Sequence, residues 1–213
     1  MALFDERNYK AALGVFRFAL KSSRCDSEAI FYMALSLYKL GQLHKSLYYW
    51  NRLKKINPIE KNLHLNMGCV YQKLGQNGLA IRHFKQELKI NPISGEALYN
   101  LGALYYGRHK YKQAVIYLER CYSLKHSIDQ IVDKLAYSYF KSRQLKKEVE
   151  LYEDFLREHS NDAWCLNNLG AALMHLGEYG RAELYLRKAA KIDSKDKMVL
   201  RNIKKAQLCR RQK

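Results

Sequence analysis

The chain repeats itself every 34 residues, and this period constrains its fold more than any other feature. The segments Glu96–Gly102 and Trp164–Gly170 match at an offset of 68 residues, which is twice 34. Asn57-Pro58 recurs as Asn91-Pro92, and Leu40-Gly41 as Leu74-Gly75, each 34 residues on. Repeats counted from residues 27, 61, 95, 129 and 163 need no insertion or deletion. A period of this length marks one supersecondary unit that buries its apolar face only by stacking on its neighbours.

The register holds position by position. The eighth residue of each repeat is small: Ala34, Gly68, Gly102, Ala136 and Gly170. A small residue is needed where two helices approach most closely. The seventh position reads Met33, Met67, Leu101, Leu135 and Leu169, and the twenty-fourth Trp50, Phe84, Leu118, Tyr152 and Leu186. Apolar residues at positions 4, 7, 8 and 11 form one helical face, and those at 20, 24 and 27 another. Gly41, Gly75 and Gly177 suit a turn after a first helix, and Pro58 and Pro92 stop a second. With two prolines, no threonine and abundant Leu, Ala, Lys and Tyr, the composition also favours helix over strand.

This pattern resembles the tetratricopeptide repeat, a 34-residue helix–turn–helix unit. The resemblance implies an all-α solenoid, a right-handed superhelix of antiparallel helix pairs in a single domain over 1–213. Residues 1–26 then form a half repeat, 27–60, 61–94, 95–128, 129–162 and 163–196 are full repeats, and 197–213 is a basic cap helix. Repeat 129–162 departs furthest, with Glu148 where Ala is usual and Phe155 in place of a small residue. Glu87 at position 27 is another departure. These leave open a local loosening or a functional surface.

The ends are also informative. Tyr9, Ala12, Phe16 and Ala19 fit the second helix of a preceding repeat, whose first helix would begin before residue 1. That leaves open a longer native chain or a short, atypical first helix. Phe4, Leu13, Phe16 or Phe18 is expected to be partly uncovered, inviting self-association. In 197–213, Leu200 and Ile203 are expected on the packed face, with Lys204 where a small residue belongs.

In this family first helices line a concave groove. Asn66, Asn100 and Asn168 share the sixth position, and an amide can bond a peptide backbone without reading its sequence. Asn62 and Asn167 fall on the same faces. Tyr32, Tyr38, Tyr99, Tyr106, Tyr137 and Trp164 supply aromatic contact area of the kind enriched at hot spots. Lys73, Lys134 and His175 complete the expected peptide-binding groove. The positions at which related domains clamp a C-terminal carboxylate hold Phe31, Leu35, Asn66, Glu96 and Asn100, or the set Leu65, Cys69, Asn100, Gln130 and Lys134. Neither set supplies a cation cluster, which argues against such a clamp.

The formal charge of +18 raises the question of nucleic acid. Its distribution answers against it: residues 197–213 carry +7, second helices hold most of the rest, and the groove positions nearly cancel. A nucleic-acid binder would concentrate cations along one face with aromatics among them. Repeat 129–162 is net −2. No run of 18 uncharged apolar residues exists, so no transmembrane segment is expected, and Asp5, Glu6, Arg7 and Lys10 break any secretory signal. Five cysteines without a Cys-x-x-Cys read as free thiols in a reducing, cytoplasmic setting. Phosphate-loop, zincin and nucleophile-elbow motifs are absent from the sequence, so neither catalysis nor a cofactor or metal is expected. The expected function is a non-catalytic protein–protein scaffold binding a peptide or protein segment in its groove. The alternative is nucleic-acid or anionic-surface binding, including peripheral membrane contact, through the basic outer face and tail.

Overall fold

The structure, a computed structural model, describes residues 8–125 and 128–212. Among the described residues there are twelve α-helices and no strand. They are α1 (Tyr9–Ser22), α2 (Ser27–Lys39), α3 (Leu43–Ile56), α4 (Leu63–Lys73), α5 (Asn77–Ile90) and α6 (Gly95–Gly107). Then follow α7 (Tyr111–Ser123), α8 (Ile128–Lys141), α9 (Leu145–Glu158), α10 (Ala163–His175), α11 (Tyr179–Ile192) and α12 (Lys197–Arg211). The chain divides into two compact units, Met1–Leu104 and Tyr105–Lys213. In the first, each helix from α1 to α5 packs on the next. In the second, the same holds from α7 to α12, and α12 also reaches back to α10.

Turn chemistry sets the helix pairs. Gly41, Gly75 and Gly177 end their first helices at φ of 75°, 74° and 77°. The same position in the other two repeats is His109 at φ 57° and Arg143 at φ 62°. All five turns therefore use the left-handed conformation, and two of them hold it with a side chain that disfavours it. The backbone bonds are shared as well: Gly41 N–H donates to the Tyr38 carbonyl at 3.0 Å, and Arg143 N–H to that of Phe140 at 3.1 Å.

Aspartates start several of these helices. The side chains of Asp26, Asp162 and Asp196 accept from the N–H groups of Ala29, Cys165 and Val199 at 2.9, 2.8 and 3.2 Å. Helix α4 lacks this device, because Asn62 sits at φ 61° and makes no side-chain cap. Glu87 of α5 replaces it: its Oε2 accepts from the Leu65 N–H at 3.1 Å while the residue stays buried. The departure at position 27 is thus a cap delivered from the neighbouring helix.

The core follows the register. Met33, Met67, Leu135 and Leu169 are buried, as are Trp50, Phe84, Tyr152 and Leu186. A Cβ on Gly68 would meet the Phe84 ring at 2.5 Å, and one on Gly170 would meet Leu186 Cγ at 2.5 Å. Glycine at these two sites lets paired helices close onto a large side chain.

His64 lies in the core, and its Nδ1 is 2.9 Å from Nδ1 of His83. Burial lowers the pKa of both rings, that of His83 to about 4.

The termini differ from expectation in one respect. Helix α12 docks through Val199, Ile203 and Ala206, while Leu200 is 41% exposed. The spacing i, i+4, i+7 places Val199 rather than Leu200 on the packed face, so Lys204 projects to solvent without conflict. At the other end Ala12 is buried, Leu13 and Phe16 are partly covered, and Phe18 is 73% exposed. Phe4 lies outside the described residues. No helix among the described residues is long and apolar enough to cross a membrane.

Two outcomes follow from the turn and the histidine pair. Arg143→Gly should raise stability by about 1 kcal/mol, read as a higher denaturation midpoint, because it relieves a left-handed side chain. His83, depressed in the folded state, leaves the unfolded chain to take up the proton first. Stability should therefore fall as pH drops from about 6.5 toward 4. His83→Gln should flatten that fall by of order 1 kcal/mol at pH 5, once solvent screening of the half-buried ring is allowed for.

Candidate functional site

In the second unit, α8, α9 and α10 form a cleft of about 520 Å³. Helix α8 contributes Asp133, Tyr137 and Phe140, spaced i, i+4, i+7 on one face, with Lys134 beside them. Helix α10 contributes Trp164, Asn168, Ala171 and His175 at the matching spacing. Tyr106 closes one side, and α9 supplies Glu148 and Tyr152, one turn apart. Tyr106, Lys134, Tyr137, Trp164, Asn168 and His175 are residues that the sequence assigns to the expected groove.

The walls are aromatic. Tyr137 is 41% exposed and meets Tyr106 and Tyr111 edge-on, each at 5.7 Å between centroids. Phe140 lies 4.7 Å from the His175 ring. Trp164, 42% exposed, sets its edge against Tyr152 at 6.1 Å. Burial, and secondarily Lys205, lowers the pKa of His175, favouring a neutral ring that can donate and accept. The Asn168 amide has no side-chain hydrogen bond to another of the described residues and opens into the cleft. The Lys134 ammonium donates to the Gln130 carbonyl at 3.4 Å.

Asn167 is not part of this surface. It is buried, and its Oδ1 accepts from the Asn202 amide of α12 at 2.9 Å. The cap helix covers it, so its role is to tie α12 to α10.

Glu148 is the residue that groove-position reasoning missed. It is 7% exposed, and its Oε2 is fully buried with no hydrogen-bond partner among the described residues. Burial pushes its carboxyl up to about 7. The signal was visible as an acid in place of alanine, but only the packing places it in the cleft.

In the first unit the expected groove residues are largely engaged with one another. Tyr32 stacks on Phe16 at 5.4 Å beside a second cleft, of about 420 Å³, which Asn62 also lines. Lys73 sits 4.2 Å over the Tyr38 ring. The Asn66 amide donates to the carbonyl of Asn62, just before α4, at 2.9 Å, and that of Asn100 contacts Cys69 Sγ at 3.9 Å. Tyr99 is half-buried. Burial raises the Cys69 thiol to about 11, which keeps it protonated at neutral pH. All five cysteines are free.

Three family models, each described as tetratricopeptide repeat, match residues 28–58, 65–124 and 163–192, together more than half of the chain. The chain belongs to the tetratricopeptide-repeat family. No curated protein matches it. Among solved structures it is similar to YrrB, a tetratricopeptide protein with an unusual peptide-binding site, at 18% identity and a TM-score of 0.72, over 89% of this chain and 97% of that one. It is also similar to the C-terminal part of a tetratricopeptide protein from Cytophaga hutchinsonii, at 17% identity and a TM-score of 0.76, over 90% and 77% of the two chains. A third is MamA from Desulfovibrio magneticus RS-1, at 19% identity and a TM-score of 0.62, over 80% and 97%. At these identities the likeness is one of fold. Tetratricopeptide repeats are protein-interaction scaffolds and typically non-catalytic. Among the described residues no group of three or more His, Cys, Asp or Glu gathers as a metal would require.

Because the carboxyl of Glu148 titrates near 7 when folded and near 4.5 otherwise, the folded chain keeps a proton that the unfolded chain releases between those values. Stability should fall as pH rises through that window. Glu148→Gln should remove this slope. It should match wild type at pH 4.5 and exceed it at pH 8 by of order 2 kcal/mol, measured by thermal denaturation.

Proposed function

We propose that this protein is a non-catalytic scaffold that holds a peptide or protein segment in the cleft of α8, α9 and α10. The observation that carries this reading is an open cleft walled by Tyr106, Tyr137, Phe140 and Trp164, with the uncommitted Asn168 amide among them. Aromatic side chains give large contact area at low entropic cost, and the amide offers a donor and an acceptor to a backbone. His175 and Lys134 stand at the cleft as polar contacts. The first-unit residues Tyr32, Tyr38, Asn62, Asn66, Lys73, Tyr99 and Asn100 are secondary in this reading, because several already engage one another. The free cysteines accord with a reducing, cytoplasmic location.

The basic tail favours a second reading, contact with an anionic surface. Helix α12 carries Lys204 and Lys205 exposed, while Arg210 is tied to Glu183 at 3.3 Å. Self-association through α1 is a third, supported by exposed Phe18 and Val15; light scattering across a range of concentrations tests it.

Partners captured from the source cell by the full chain should be lost, by about tenfold or more, with Tyr137→Ala/Asn168→Ala. They should persist with Lys204→Gln/Lys205→Gln and up to moderate salt. Loss with the lysine pair and a steep salt dependence, with the cleft variant silent, would transfer the function to the tail.

A further inference from the structure

We propose that the segment held in this cleft presents a lysine or arginine side chain, whose cationic head meets the Glu148 carboxylate and whose stem lies among Tyr137, Tyr152 and Trp164. The inference rests on the reading of the cleft as a peptide site and names the chemistry of its occupant.

Glu148 makes the argument. A buried carboxylate oxygen without a hydrogen bond is costly, and the same repeat position holds Ser46, Ala80, Ala114 and Ala182 elsewhere. The acid therefore costs stability in the free protein, and its oxygen finds no partner among the described residues. Yet it does not lie in a sealed core, since it lines an open cleft. A ligand cation entering there would supply the missing partner in a setting of reduced solvent, where a charge-assisted bond is strong.

The surroundings fit a cation. The rings of Tyr137, Tyr152 and Trp164 line the cleft, and aromatic faces attract ammonium and guanidinium groups. Asp133 on α8 adds a second acid at the cleft. Two lysines stand near: Lys134 donates to the Gln130 carbonyl of its own helix, and Lys141 holds its ammonium 5.3 Å over the Tyr137 ring and 5.8 Å over that of Phe140, so the rings of α8 already attract one cation; burial disfavours the charged form of His175. The repeat that contributes α8 and α9 holds eight acidic residues against six Lys and Arg, in a chain whose overall charge is +18. Burial alone accounts for the raised carboxyl of Glu148, so a cation brought to it favours the ionised form and releases a proton. A bare metal ion fits less well, because no group of three or more ligating side chains gathers among the described residues.

The test uses a random dodecapeptide library panned on the full 213-residue chain. Cleft binders are defined as those lost with Tyr137→Ala/Asn168→Ala. Glu148→Gln, which replaces an unpaired buried acid with a neutral isostere, is checked for folding by circular dichroism. Cleft binders should carry Lys or Arg at one fixed position. Its replacement by Gln should weaken binding to wild type by about tenfold or more, and to Glu148→Gln by less than about twofold. Cleft binders without a cation preference, or equal losses on both proteins, would overturn the cation site while leaving the peptide cleft standing. Failure to find any cleft binder would overturn both.

Discussion

The pairs α4–α5 and α10–α11 depend on one close contact each. A small residue at the eighth position of a repeat lets the large side chain at the twenty-fourth press against the opposing backbone. The Phe84 ring would sit 2.5 Å from any Cβ on Gly68, and Leu186 the same distance from one on Gly170. Interiors packed to this density tolerate little added volume, so the pair of positions sets both the helix spacing and the burial of the side chain between them. The left-handed residue at position 15 then returns the chain at an angle that allows the contact. Stacking supplies the rest of the apolar cover.

Most of this was legible in the 34-residue period, because the repeated positions answer to local and near-neighbour physics. The helical faces, the glycine turns and the buried Met, Leu and aromatic positions are each set by residues a few places apart or by the adjoining helix. What escaped the pattern are the exceptions. His109 and Arg143 hold a left-handed turn that glycine spelling reveals in only three repeats. Leu200 looked like a core position of α12 by register, whereas Val199 is the residue that packs. The cap helix is packed on one side only, against α10 and α11, so its rotation is set by the surface it meets and not by the repeat.

The two out-of-place acids show why an anomaly in a repeat has no single meaning. Glu87 and Glu148 both replace small or apolar residues, and both are buried. Glu87 completes the first turn of α4, where Asn62 leaves the helix without a side-chain cap. Glu148 does nothing comparable: its buried oxygen has no hydrogen-bond partner among the described residues, and its surroundings are the walls of a cleft. The first stabilises its helix. The second is costly alone and gains value only in the presence of a complementary group.

The sequence by itself determined the family, the all-helical repeat and the residues that build its core, because these follow from a hydrophobic period and the conformational preferences of glycine and proline. It also determined that most of the net positive charge lies outside the groove positions, whose own charges nearly cancel. The tertiary structure decided which groove residues are available for contact. Asn167 is covered by α12, Asn66 and Asn100 are engaged close to home, and Tyr137, Trp164 and Asn168 remain open around Glu148. The reason is physical: a face is a property of one helix, but exposure and hydrogen-bond commitment depend on what its neighbours bring against it.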